Sequence, residues 1–190
     1  PTNATGESGA NNTSDDSSDS NGDLTIDFGF YEWVGIGNFV FLDANKDLKA
    51  QAAEGVGGIE VRIYADGANP LGSPVPSPVA TAITDSTTGN VGRWMVTGLL
   101  PGSYFIYIPP SAFTGTSPLA GKMSLLTSGG HDDNISEDGI ANAHPELNGV
   151  KSITINLAVG AEPTASTSFS LETGIGAEMD DTFDTNVDLT

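Results

Sequence analysis

The chain has no cysteine, only six basic residues and no long apolar run. Each shortage removes a class of protein. Without cysteine there is neither a disulfide framework nor thiol chemistry. Six Lys and Arg stand against 25 Asp and Glu, a formal net charge of -19. A field of that sign repels phosphate backbones and anionic lipid surfaces, so nucleic acid and anionic membranes are not expected as partners. No apolar stretch approaches the ~20 residues that cross a bilayer. The chain starts at Pro1 rather than Met and shows no signal peptide, sorting motif or anchor, so it reads as a processed piece of something longer.

What is abundant points one way. Gly and Pro total 35 of 190 residues, in a chain also rich in Thr, Ser and Val. That is the profile of many short strands joined by turns. The length allows one sizeable core with a short extra segment. Small secreted domains without disulfides use metal or a large core instead, and clustered carboxylates resist compaction unless a cation neutralises them. A divalent metal is the economical candidate, and plain solubility is the other use of acidity.

Residues 36–54 carry the sharpest signal. A buried-strand pattern running to Leu42 is followed by Asp43, Asn45, Asp47 and Glu54, at positions one, three, five and twelve of a loop. That is the ligand spacing of a calcium loop: short side chains alternate inward, and a final Glu binds through both oxygens. Lys49 stands at position seven, where a backbone carbonyl suffices, and Gln51 at nine binds directly or through water. Leu48 occupies position six, where a sharp turn favours Gly. The alternative is a polar turn between two strands.

The surrounding residues extend the pattern. Glu54-Gly55 leads to Gly58-Ile-Glu-Val-Arg-Ile-Tyr64. Thr84-Asp85 leads through Gly89 and Gly92 to Arg93-Trp-Met-Val-Thr-Gly-Leu-Leu-Pro-Gly-Ser-Tyr-Phe-Ile-Tyr-Ile-Pro109, which contains L-x-P-G-x-Y at Leu99, Pro101, Gly102 and Tyr104. Roughly over residues 24–109 this resembles the calcium-binding B-type domains of bacterial serine-aspartate-repeat surface proteins, relatives of the Cna-B modules. Ala52 and Ala53 stand where that family often has Asp and Gly. The resemblance implies an all-β, Greek-key, immunoglobulin-like sandwich with bound calcium, serving as a spacer or adhesive module at an extracellular surface. Relatives of this kind often carry Lys-Asn or Lys-Asp cross-links. The strand before the loop has no Lys and only Lys151 sits at a strand start, so no cross-link is expected.

The chain otherwise reads as strands at Leu24–Phe30, Ile59–Tyr64, Val79–Thr84, Arg93–Val96, Tyr104–Ile108, Val150–Leu157 and Thr167–Leu171, with no α-helix beyond about two turns. Trp94, Tyr104 and Tyr107 read as core or strand-face aromatics. Ile153, Ile155 and Leu157 alternate cleanly. Residues 110–149 read as an irregular insertion. Within it, His131-Asp132-Asp133-Asn134 and Glu137-Asp138 form either a further calcium site or a solvated acidic loop; zinc suits hard oxygen donors less well.

Asp180–Thr190 aligns without a gap on Asp15–Thr25, a period of 165 residues. Periodicity at domain scale signals a tandem array. Residues 1–30 then read as the acidic linker and last strand of a preceding repeat, and 31–190 as one calcium-binding domain. Asp19, Asn21 and Asp23, repeated as Asp184, Asn186 and Asp188, form two weaker D-x-N-x-D candidates. The head copy continues through Leu24, Ile26, Phe28 and Phe30, whereas the tail copy stops where that strand begins. The expectation is that these four residues of a neighbouring molecule add as a strand to the open edge, joining copies head to tail; the competing reading folds the strand back onto its own domain.

No H-E-x-x-H, G-x-S-x-G or P-loop is present, and no nucleophile–base pair is supported by spacing, so an enzyme is not expected. The leading role is a calcium-stiffened repeat of an extracellular stalk or fibre whose partners are neighbouring copies. The rival is an adhesin domain that binds a host or cell-surface ligand, with the 110–149 insertion as its contact surface.

Overall fold

The computed structural model describes residues 28–44, 51–124, 139–140, 142–160 and 187–188. By its internal contacts the chain divides into two units, Pro1–Tyr31 and Glu32–Thr190. Of the first unit only 28–31 are described; they form no strand, and Phe28, Phe30 and Tyr31 are exposed.

The second unit is all-β. Its strands are β1 (Val34–Phe39), β2 (Glu60–Ala65), β3 (Ala80–Ile83), β4 (Arg93–Leu99), β5 (Gly102–Ile108), β6 (Val150–Lys151), β7 (Ile155–Leu157) and β8 (Val187–Asp188). The one α-helix among the described residues, α1 (Pro145–Asn148), is a single turn, and no described helix is long and apolar enough to cross a membrane. One sheet has the order β4-β1-β8; the other runs β3-β2-β5-β6, with β7 also on β5. Every pairing is antiparallel except β8 on β1.

Period-two alternation decides what each sheet buries. Val34 and Ile36 of β1, Val61 and Ile63 of β2, Trp94 and Leu99 of β4, Tyr104 of β5, and Ile155 and Leu157 of β7 form one cluster that draws on both sheets. The opposite face of the larger sheet holds Tyr64, Phe105 and Tyr107. There Tyr64 stacks on Phe105 with ring centroids 5.5 Å apart, and the Lys151 ammonium sits 3.7 Å above the Phe105 ring. β2 and β5 are therefore buried on both faces. Burial also holds the Tyr107 phenol above the ordinary tyrosine range, and its hydroxyl donates to the Asn148 carbonyl. At the β4–β5 turn the Tyr104 hydroxyl donates to the Leu100 carbonyl at 2.6 Å, fastening the Pro101-Gly102 corner.

Most strands lie within a residue or three of the pattern-based reading, and three differences have physical causes. β1 stops at Phe39 rather than Leu42. From Val40 on, the backbone turns to a different set of partners: Val40 N–H donates to the Gly92 carbonyl, and Val56 N–H donates to the Val40 carbonyl. The run 150–157 is broken into β6 and β7. Between the pairs Tyr107↔Lys151 and Tyr104↔Ile155, β5 has two residues and the partner three. That extra residue is a β-bulge, which turns Ile153 outward at 40% exposure while Ile155 is fully buried. The Ser152 hydroxyl fills the break, accepting the Ile106 N–H and donating to the Ile153 carbonyl.

The third difference is the insertion. Its two described ends are built structure rather than irregular chain. Pro110–Phe113 is a 3-10 turn that buries Ala112 and Phe113, and α1 packs against it. Thr167–Leu171, Asp132, Asp133 and Asp138 lie outside the described residues.

The bulge makes a direct prediction. Ile155→Ala should cost about 2–5 kcal/mol, the range for a buried large-to-small change. Ile153→Ala should cost about 0.5 kcal/mol or less, as at an exposed position. Urea unfolding of both variants checks this, and equal losses would mean an unbroken alternation.

Candidate metal-binding loop

The loop that follows β1 is closed at its neck by the backbone. Leu42 N–H donates to the Glu54 carbonyl at 2.9 Å, and Phe41 bridges antiparallel to Gly55. This brings the residues at loop positions one and twelve, Asp43 and Glu54, to the same neck. A short 3-10 turn, Ala52–Glu54, leads into it, closed by the Glu54 N–H donating to the Gln51 carbonyl.

The Glu54 carboxylate is the central feature. Its Oε1 accepts the Ala44 N–H at 3.0 Å. Its Oε2 is buried and has no hydrogen-bond partner among the described residues. A buried carboxylate oxygen left unpaired costs on the order of 1–3 kcal/mol or more, because the group has lost water without replacing it. A cation is the natural complement. A carboxylate oxygen is a hard donor, which suits calcium or magnesium rather than a soft-ligand metal.

Two glycines let the neck sit where it does. Gly55 lies against the Val91 carbonyl, so close that a Cβ there would overlap it. Gly92 adopts φ +93, and a Cβ on it would come within 2.6 Å of the Val40 carbonyl and 2.8 Å of the Gly55 Cα. The neck is thus pressed onto the turn between β3 and β4. That turn is held in its own right: Gly92 N–H donates to the Asp85 carbonyl, and Asp85 N–H donates to the Arg93 carbonyl. The Asp85 carboxylate accepts the Thr87 N–H at 2.6 Å, a bond to the charged form that holds it below the usual carboxylate range.

Beneath the neck lies a second apolar cluster of Val56, Ile59, Ala112, Phe113, Leu119 and Val150, with Val40, Leu42 and Ile108 packed against it. The first part of the insertion therefore packs beneath the neck. Thr84 ties the same region together: its buried hydroxyl donates to the Val56 carbonyl at 2.7 Å and accepts the Ile59 N–H at 2.9 Å.

Of the residues expected from spacing, Asp43, Gln51 and Glu54 are described, and the fold brings Asp43 and Glu54 together. Asn45, Asp47 and Lys49 lie outside the described residues, as do Asp19, Asn21, Asp23, Asp184 and Asn186; of Asp188 the backbone alone is described, as part of β8. Among the described residues no three His, Cys, Asp or Glu side chains gather at metal-binding range. Spacing missed the Ala44 amide that holds Glu54, the Gly55–Gly92 approach and the Thr84 bridge. The paired glycines and the Thr at a strand end were visible in the sequence, but their partners depend on long-range pairing. No model of a known protein family matches the chain, and no curated protein matches it.

Glu54→Gln tests the assignment. It keeps an acceptor for Ala44 and removes the charge. Calcium affinity by titration calorimetry should fall about tenfold or more. In chelator the variant should be at least as stable as the parent, since it no longer buries an unpaired carboxylate. Unchanged affinity would remove Glu54 from the site.

Proposed function

We infer that the chain is a calcium-stabilised structural repeat of an extracellular surface stalk or fibre, folded as a Greek-key, immunoglobulin-like sandwich of the Cna-B kind. One observation carries the reading: the buried Oε2 of Glu54, which has no hydrogen-bond partner among the described residues, at a neck where the twelve-position loop begins and ends. A cation held there supplies charge neutralisation and rigidity. Asp43 and Glu54, together with Asn45, Asp47, the Lys49 carbonyl and Gln51, are the residues proposed to hold it.

The consequence is mechanical. The neck joins β1 and the 3-10 turn to the β3–β4 turn and, through the second apolar cluster, to the insertion. Binding a cation at the loop therefore stiffens one end of the domain rather than one loop alone. A chain with net charge -19 gains doubly, since the ion also offsets carboxylate repulsion. The 165-residue period between Asp15 and Asp180 supports an array of such units, and the acidity supports a setting outside the cell, where calcium is plentiful.

Calcium at a hundredfold excess over Kd should stabilise the chain by about 2.7 kcal/mol. For a chain of this size that raises Tm by about 5–10 °C. Calorimetric melts in calcium and in chelator measure it, and superimposable melts would contradict the proposal.

A further inference from the structure

We propose that β3 is a seam to a second copy of this chain, pairing antiparallel with its own counterpart about a two-fold axis at Ala82. The contact goes beyond the calcium reading and does not depend on it.

β3 is an outer strand of the larger sheet, with β2 on one side. The register sets Val61 opposite Ala82 and Arg62 opposite Thr81. Thr84 N–H donates inward to the Ile59 carbonyl at 2.9 Å. Antiparallel bonding alternates along a strand, so Ala82 also bonds inward, and the N–H and C=O groups of Thr81 and Ile83 point away from β2. Among the described residues no hydrogen bond reaches those outward groups. Thr81 is exposed, and Val79 and Ile83 are 52% and 62% exposed. An edge in this state is a template for an added strand.

Natural edges are commonly blunted by charge, lysine above all, and this one carries none. Between Asp66 and Lys122 the only charged residues are Asp85 and Arg93. β4, an outer strand of the smaller sheet, lies against β3 and adds Met95, 54% exposed. The border shared by β3 and β4 is therefore nearly free of charge, in a chain of net charge -19. Two copies of such a chain repel one another, and least where both present neutral surface. A second copy brings the same neutral border, which makes it the occupant this edge suits.

The free groups fix the register. With Ala82 opposite Ala82 of the second copy, Thr81 falls opposite Ile83 and Ile83 opposite Thr81. Each of these pairs then exchanges both N–H···O=C bonds, which uses every outward group of the strand. An axis one residue earlier sets Ile83 opposite Val79, whose N–H is already given to the Ile63 carbonyl. An axis one residue later sets Thr81 opposite Asp85, whose N–H is given to the Arg93 carbonyl. Side chains agree with the axis at Ala82. The β-branched Thr81 and Ile83 meet across the seam on the outer face, a favourable cross-strand pair. Ala82 meets Ala82 on the inner face, at the non-hydrogen-bonded position where strands approach most closely. Pro74, Pro76 and Pro78 have no N–H and end the template before Val79. The contact is isologous and closes at two copies, so it joins units in pairs and builds no filament.

The chain has no cysteine, so introduced cysteines report the contact alone. Oxidised full-length Ala82→Cys should form a disulfide-linked dimer, because non-hydrogen-bonded antiparallel pairs hold their Cα atoms about 4.5 Å apart, within disulfide range. Asn156→Cys on β7, at the other side of the same sheet, should not. Equal linking of these two variants, or linking of Thr81→Cys to itself in preference to Ala82→Cys, would overturn the proposal. Sedimentation of cysteine-free chains gives a second reading, taken up to about 1 mM in about 0.15 M salt to screen the net charge. The parent should pass from monomer to dimer and no further. Ile83→Lys, which sets a charge on the seam at an exposed position, should lose the dimer while its melt at low concentration stays unchanged. A parent that remains monomeric throughout, as for an edge that takes only a foreign strand, or one that grows past the dimer, would overturn the proposal.

Discussion

One carboxylate oxygen sets the constraint at the neck of the loop after β1. Glu54 Oε2 is buried without a hydrogen bond from any described residue, whereas its partner oxygen is held by the Ala44 amide. The fold has thus fixed the side chain and withheld its second partner. Leaving a buried charge unpaired is among the more costly local arrangements in a protein, and it persists where something else completes it. In this chain the surplus of acidic residues runs in the same direction. The cation proposed for this loop would account for both.

The neighbourhood is arranged to transmit that constraint. The neck of the loop leans on the β3–β4 turn through two glycines that admit no side chain. The Thr84 hydroxyl locks the segment between Val56 and Ile59, just after the neck. Ala112, Phe113 and Leu119 from the start of the insertion pack beneath it. Since loops and strand ends are ordinarily the first places to open, the proposed cation would stabilise an end of the domain that lies outside the main core cluster.

Much of this was legible in the sequence. The strands over 59–64 and 93–108 announce themselves by alternation and by the Pro101-Gly102 corner, because period two survives wherever one face is buried. That Asp43 and Glu54 stand at the two ends of one loop was legible too, since the spacing of acidic residues along a loop is written in the local sequence. What spacing does not encode is pairing at a distance. The bulge at 152–154 is invisible in Ile153, Ile155 and Leu157, because a single extra residue against β5 reverses the facing without altering the pattern. The burial of Ala112 and Phe113 depends on α1 and the second apolar cluster, which lie on either side of a long stretch of chain. The capture of Glu54 by an amide ten residues away was hidden too, for a main-chain donor has no sequence signature.

The Ala44 amide holds the carboxylate that a cation would complete. Site-resolved hydrogen exchange at Leu42, Ala44 and Glu54, compared in excess calcium and in chelator at one pH, reads it directly. If a cation completes Glu54, exchange at these three amides slows in calcium by more than at the doubly buried strand β5. Exchange at the neck that is the same in both conditions would contradict the account.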